Sequence, residues 1–269
     1  MTITLSGLHY YPVKSLRGLS PASHPVTRLG LAHDRRWMLV DANGRFLTQR
    51  EHHGLAVVST RIDGERLRIE APGRTPLELP LAGPEGPEVV VRVWSDQVTA
   101  RDAGDEAAAW LSGLLGVAAR LVYFPDDGSR QVDMDFARAG DQTAFSDGFP
   151  FLLISEASLA DLNARLATPV PMRRFRPNLV VSGCKAFDED RWRRIRIGAV
   201  ELRVVKPCSR CVITTLDPET AERGAEPLKT LATYRRRDKR ICFGQNLIHD
   251  GTGELRLGDR VEVLEAAAD

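Results

Sequence analysis

The chain has 269 residues, 43% of them hydrophobic, which is enough to bury the core of one large domain or two small ones. Its 37 basic and 36 acidic side chains leave a formal charge of +1, so no global field recruits nucleic acid or an acidic membrane, and any anion site must be local. Four cysteines are too few for a secreted disulfide framework, and the chain contains neither a signal-like apolar start nor an uninterrupted apolar run of about eighteen residues; the expectation is a soluble cytoplasmic protein with no nucleic-acid or membrane partner.

Ile3, Leu5, Leu8 and Tyr10 begin a strand that leads into a loop over residues 11–18, bracketed by Pro12 and Gly18. On that loop Lys14, Ser15 and Arg17 offer two cations and a hydroxyl to an anion; a solvated basic turn is the alternative. Residues 30–40 read as a polar turn entering a strand, and 41–44 as a hairpin turn into a second strand over 45–50. Further strands are predicted at 56–62, 66–70, 77–81 and 89–93, a spacing that implies a small antiparallel barrel or sandwich. Asp102, Asp105 and Glu106 supply acidic capping residues ahead of a helix over 107–115 with Trp110, Leu111, Leu114 and Leu115 on one face, and the first domain is expected to end near Arg120.

A buried strand at 121–124 is followed by an Asp-rich loop over 125–140, long enough for a mobile cover or a surface excursion. Residues 145–150 turn into an apolar strand at 151–154, after which Ser155 caps a helix with Leu159, Leu162 and Leu166 facing inward. Arg173, Arg174 and Arg176 gather where a strand at 179–181 enters the core, an arrangement that also suits a solvated basic edge. Pro227 is expected at the first position of a helix over 228–234, followed by the basic run 235–240 and strands at 247–249 and 261–264.

The segment Lys-Pro-Cys-Ser-Arg-Cys, residues 206–211, is the leading candidate for chemistry. Residues 200–205 alternate as a half-buried strand, Pro207 is expected to end its ladder because it lacks an N–H, and 212–215 resume a strand composition. Cys208, Arg210 and Cys211 are thereby presented on one short turn, and a guanidinium beside a thiol favours the nucleophilic, metal-binding thiolate. Three other readings compete: a thioredoxin-like redox pair, which would open a helix; a zinc site completed by Cys242 and His249; and two small buried hydrophobes in an ordinary turn. The spacing does not choose between Cys208 and Cys211.

Taken in order, YPVKSLRG (11–18), DRRW (34–37), FSDGFPFLL (145–153), SEASLADL (155–162), FRPN (175–178), KPCSRC (206–211), EPLKTLATYR (226–235) and FGQN (243–246) resemble the MOSC proteins, nearest to the mitochondrial amidoxime-reducing component and its bacterial counterparts. The resemblance implies a mainly β fold with a few helices (α+β), in two domains: an N-terminal MOSC β-barrel domain over 1–120 and a MOSC β-barrel domain over 121–269. It implies a molybdenum-molybdopterin cofactor between them, Cys211 as the metal's thiolate ligand, and a clamp of Lys14, Ser15, Arg35, Arg176, Asn178, Ser209 and Arg210, with Arg210 favouring the thiolate. Asp147 would orient a substrate N–OH or relay protons. Gly148 and Phe149, which stand where eukaryotic relatives carry Thr-Ser, would face the cofactor through the backbone, and Asn246 stands where they carry Tyr.

The activity implied is reduction of N-oxygenated small molecules such as hydroxylamines and amidoximes. Cys184 and Cys242 alone cannot build a four-thiolate cluster, so electrons are expected from a separate ferredoxin- or flavodoxin-type protein, for which the basic run 235–240 is a candidate dock. A cofactor- or sulfur-carrier module with Cys211 as the carrier thiol is the reading from a different class.

Overall fold

Two ten-residue strands, Val200–Ser209 and Arg240–His249, pair antiparallel at the centre of the large sheet in the computed structural model, which describes residues 2–267. Along the first of them Val200, Leu202 and Val204 are buried while Glu201, Arg203 and Val205 are half-buried, the period-two pattern that presents one face to a core. The sheet has eight strands among the described residues. Its order is Thr4–Leu8, Leu179–Ser182, Phe151–Ser155, Arg240–His249, Val200–Ser209, Trp192–Ile197 and Val261–Ala266, with the short strand Arg236–Arg237 paired onto Arg240–His249.

One neighbouring pair, Phe151–Ser155 with Leu179–Ser182, is parallel, and the helix Glu156–Asn163 makes the crossover that a parallel connection requires. Ser155 caps that helix as expected: its hydroxyl accepts from the Ser158 N–H at 3.0 Å.

The N-terminal half contributes a four-stranded sheet, ordered Trp37–Val40, Arg120–Tyr123, Asp96–Asp102 and Glu88–Val93, and a three-stranded sheet of Ser59–Asp63, Arg66–Glu70 and Leu77–Pro80. Trp37, Leu67 and Leu77 bury one core between them, against Leu111 of the helix Asp105–Leu115. The fold is mainly β, its larger sheets curled as half-barrels. The halves are interlocked, because Thr4–Leu8 joins the large sheet and Ser23–Thr27 pairs with Gly253–Arg256 near the other end of the chain. No helix among the described residues is long and apolar enough to cross a membrane.

Local readings fail where side chains redirect the backbone. Residues 45–50 make an isolated bridge between Phe46 and Val40 and then turn, because the Thr48 hydroxyl accepts from Arg50 N–H at 3.1 Å and its carbonyl from Glu51 and His52. Residues 53–57 form a 3-10 helix, so the strand expected from 56 begins at Ser59. Pro207 does not end its ladder; register shifts on either side of it let the strand run on to Ser209.

Nor are residues 212–215 a strand. They form a 3-10 helix in which the Thr214 and Thr215 hydroxyls donate to the carbonyls of Cys211 at 2.9 Å and Val212 at 2.7 Å. Their β-branched side chains, read as strand formers, here close a turn. Pro227 sits at the N-cap of the helix Leu228–Tyr234, one residue before its expected place. The strand expected at 247–249 extends back through Gly244, whose φ of +80° and 2.8 Å approach of a Cβ to the Leu153 carbonyl leave room for glycine alone.

The basic run is not one solvated face. Arg235 is 8% exposed, its guanidinium 2.8 Å from Asp190 Oδ2, and Asp190 also accepts from Arg237 and from Gln245 Nε2, each at 2.6 Å. Arg236, Lys239 and Arg240 remain exposed around a hairpin turn. Asp190→Ala would leave Arg235 buried without its counter-charge and is expected to cost about 3–5 kcal/mol, whereas Arg237→Ala, at an exposed partner, should cost about 1 kcal/mol or less. Thermal unfolding followed by circular dichroism reads the difference, and equal losses would show that Asp190 does not anchor the hairpin through Arg235.

Candidate functional site

The loop leaving the first strand turns inward rather than into solvent. The backbone N–H groups of Lys14 and Arg35 donate to the carbonyls of Trp37 at 2.8 Å and Tyr11 at 2.7 Å, and Tyr11 N–H donates to the buried Asp34 carboxylate at 2.7 Å. Ser15, Arg35 and Arg176 all adopt positive φ, at 69°, 48° and 53°. Such conformations persist outside glycine only where surrounding contacts hold them, and they concentrate at functional sites.

Arg35 is held by Asp34 at 2.6 Å and Asn178 Oδ1 at 3.0 Å, and Arg176 donates to the Leu16 carbonyl at 2.7 Å. Both guanidinium carbons lie over the Tyr11 ring, 4.3 and 4.2 Å from its centroid. Tyr11 is itself buried, its hydroxyl donating to the Pro177 carbonyl at 3.0 Å.

These residues open onto a cleft of about 840 Å³, counted out to its mouth, whose lining includes Lys14, Ser15, Arg35, Asp147, Gly148, Phe149, Arg176, Asn178, Ser209, Arg210, Cys211 and Asn246. Every site residue expected from the sequence is thus brought to one place. The N-terminal loops supply Lys14, Ser15 and Arg35. The turn before Phe151–Ser155 supplies Asp147, Gly148 and Phe149, and the segment entering Leu179–Ser182 supplies Arg176 and Asn178. Ser209 ends one central strand, Asn246 lies on the other, and Arg210 and Cys211 follow Ser209. Arg50, Arg174, Thr48 and Ser146 also line the cleft and were not expected there. Arg50 reads as one residue of a strand until the Thr48 turn is seen; the Thr-x-Arg spacing of that turn is its only local signal.

The thiols correct one expectation. Arg210 Nη1 lies 3.0 Å from Cys208 Sγ, not beside Cys211, while its Nη2 donates to the Phe175 carbonyl at 2.6 Å. The cation at Cys211 is Arg50, whose Nη2 is 3.7 Å from the sulfur and 3.7 Å from Asp147 Oδ2. The reason is the strand that continues through Pro207, which places Cys208 at the register shift between Pro207 and Ser209 and Cys211 on the extended step into the 3-10 helix. All four cysteines are free. No group of three His, Cys, Asp or Glu among the described residues could cage a metal, so the zinc reading finds no ligand set.

Charge in the cleft is one-sided. Six cations, Lys14, Arg35, Arg50, Arg174, Arg176 and Arg210, line the cleft with a single acid, Asp147, while behind the wall Asp34 pairs with Arg35 at 2.6 Å and Asp217 with Arg174 at 3.0 Å. Burial pushes Arg176 down to about 10, the Tyr11 phenol and Asp34 only partly opposing it, and burial likewise lowers Arg174. The Nε atoms of Arg174 and Arg210 are buried without a hydrogen-bond partner. An anion with several acceptors would satisfy both the charge and the orphaned donors.

Lys14 Nζ lies 2.6 Å from Asp147 Oδ1 and donates to the Phe145 carbonyl at 2.8 Å. The two partners respond differently because their surroundings differ. Lys14 is 5% exposed, and burial lowers it to about 8 despite the carboxylate. The cleft partly desolvates Asp147, which opposes its charge, yet Lys14, Arg50 and Arg35 overcome that and hold it well below the usual carboxylate range. With its side chain 61% accessible through the mouth, water also sustains the ionised form.

Lys14 therefore loses its proton as pH rises through about 8, whereas an unfolded lysine keeps its proton to higher pH. Across that interval this group makes the fold more stable, while the cleft loses a cation. Affinity for inorganic phosphate, measured by calorimetry, is accordingly expected to fall as pH rises through about 8, and Lys14→Arg to flatten the profile. A profile identical in the two proteins would remove Lys14 from the anion site.

Residues 2–118 match the family described as the MOSC N-terminal beta barrel domain, and residues 140–262 match the MOSC domain. The chain is 39% identical over 280 residues to mitochondrial amidoxime-reducing component 1 of Mus musculus, an alignment covering 97% of this chain and 82% of that protein. It is 38% identical to component 1 of Homo sapiens, covering 97% and 83%, and 38% identical to component 2 of Rattus norvegicus, covering 96% and 82%. With both domains matched and full-length relatives at this identity, the chain belongs to the MOSC proteins and is a homologue of the mitochondrial amidoxime-reducing components.

Proposed function

We propose that the protein is a molybdenum-cofactor-dependent reductase of N-oxygenated compounds that draws electrons from a separate donor protein. The observation that carries this reading is the cleft itself: a free Cys211 thiol and an ionised acid in a wall of cations, one of them the buried Lys14 and two of them carrying unpartnered donors. The names of the relatives supply the substrate class, since they are amidoxime-reducing components.

The donor set suits a pterin phosphate. Lys14, Ser15, Arg35 and Arg176 would hold the anion, Asn178, Ser209 and Arg210 the polar edges of the ring system, and Cys211 the metal through its soft sulfur. When bound, the molybdenum centre supplies the two-electron chemistry that cleaves the N–O bond with release of water. Asp147, ionised at neutral pH, accepts a hydrogen bond from a substrate N–OH and so orients it. Lys14, proton-bearing below about 8 and 2.6 Å away, is placed to replenish a proton there. A sulfur carrier would need the thiol and the clamp but not this acid and base beside it.

The exposed Arg236, Lys239 and Arg240 form the remaining cationic surface of the basic run, and an acidic ferredoxin or flavodoxin would be steered to it. One set of assays tests these assignments. Reduction of N-hydroxybenzamidine is followed with reduced viologen and with an acidic donor protein. Cys211→Ala is expected to abolish both activities while retaining the fold, and Cys208→Ala to keep a substantial fraction of each. Arg236→Glu with Lys239→Glu should lower only the protein-driven rate. Equal losses in the two cysteine variants would overturn the choice of Cys211, and equal rates with both reductants in the charge-reversed variant would place the dock elsewhere.

A further inference from the structure

One side of the thiol is built by Arg50, which lies outside the proposed cofactor clamp. Arg50 comes from the turn made by Thr48, and a guanidinium offers five N–H donors. Its polar contacts among the described residues are Cys211 Sγ and Asp147 Oδ2, both at 3.7 Å, longer than charge-assisted bonds prefer. Its guanidinium carbon lies 4.6 Å from the centroid of the Trp94 ring. Trp94 in turn meets Phe46 edge-on at 5.1 Å, and Lys14 Nζ is 5.4 Å from the Phe46 centroid. Lys14, Asp147, Arg50, Trp94 and Phe46 therefore form a closed ring of contacts that meets Cys211 through Arg50.

Trp94 is an unusual residue for its place. It occupies the two-residue turn between Glu88–Val93 and Asp96–Asp102 with φ of +57°, a position that favours Gly, Asn or Asp. A bulky side chain is a genuine outlier there. Its indole is also 47% exposed, so core packing does not account for it. A strained, exposed indole carrying an under-coordinated guanidinium that reaches the Cys211 sulfur offers a flat face to a planar group and a cation to an oxyanion.

We propose that Arg50 and Trp94 select substrate, favouring planar N-oxygenated compounds that carry a carboxylate over cationic ones of the same shape. The inference rests on the reductase reading for the N-oxygenated part of that class, while the preference for a planar anion rests on Arg50 and Trp94 alone.

The test uses the cofactor-loaded protein and two probes of like shape and opposite charge, benzoate and benzamidinium. Quenching of indole fluorescence is expected with benzoate at concentrations where benzamidinium has little effect, and to be lost in Trp94→Phe. Arg50→Gln should weaken benzoate about tenfold, and Arg50→Lys should restore much of it. In turnover, the ratio of kcat/KM for 4-carboxy-N-hydroxybenzamidine to that for the uncharged parent should fall about tenfold in Arg50→Gln. Equal binding of the two probes, or benzoate binding and a kcat/KM ratio unchanged by Arg50→Gln, would overturn the proposal. Arg50-dependent benzoate quenching without turnover of either substrate would uphold the recognition surface and overturn the reductase reading.

Discussion

The structure depends on positive charge that has been drawn into a cleft with fewer acids than cations beside it. Arg35 and Arg176 lie over one tyrosine ring, Lys14 is 5% exposed, and two neighbouring guanidiniums carry buried donors with no partner. Asp34, Asp147 and Asp217 offset part of this. Desolvating a cation is expensive, and the cost is visible in the lowered Lys14 and Arg176. A cleft of this kind leaves charge and donors that an anion would satisfy, which is why the proposed cofactor and the local electrostatics are one question here.

That cleft exists because the chain's halves cannot be separated cleanly. The first strand belongs to the large sheet, and the loop that follows it delivers Lys14 and Ser15 to a wall otherwise built from the C-terminal half. Asp147 is then fixed by a lysine 133 residues away in sequence, and Asn178 by backbone contact with His9. Long-range pairings of this sort set the geometry around Cys211 within hydrogen-bonding tolerance, while the accessible mouth leaves room for a small molecule to approach.

Much of this was legible in the chain. The mainly β fold, the capped helix after Ser155 and the residues that meet in the cleft are visible as short motifs, even though Lys14, Arg35 and Arg176 each look like solvated surface when read alone. What local reading missed follows from three physical causes. Threonine hydroxyls at 214 and 215 bond back to the chain and turn a strand-like composition into a 3-10 helix. Register shifts absorb Pro207, which moves Arg210 to Cys208 and leaves Cys211 to Arg50. Positive φ at Ser15, Arg35, Trp94 and Arg176 carries no reliable mark in residue type, because tertiary contacts impose it. Arg50 and Trp94 lie 44 residues apart, and only the folded chain shows that they touch.

In the proposed function Cys211, and not Cys208, is the protein's bond to a molybdenum cofactor. X-ray absorption at the molybdenum edge, on protein produced in cells that make the cofactor, tests it most directly. The account predicts one fewer sulfur neighbour around the metal in Cys211→Ser and a spectrum in Cys208→Ser that matches the parent protein. An unchanged sulfur count in Cys211→Ser, or a parent protein that binds no molybdenum, would contradict it.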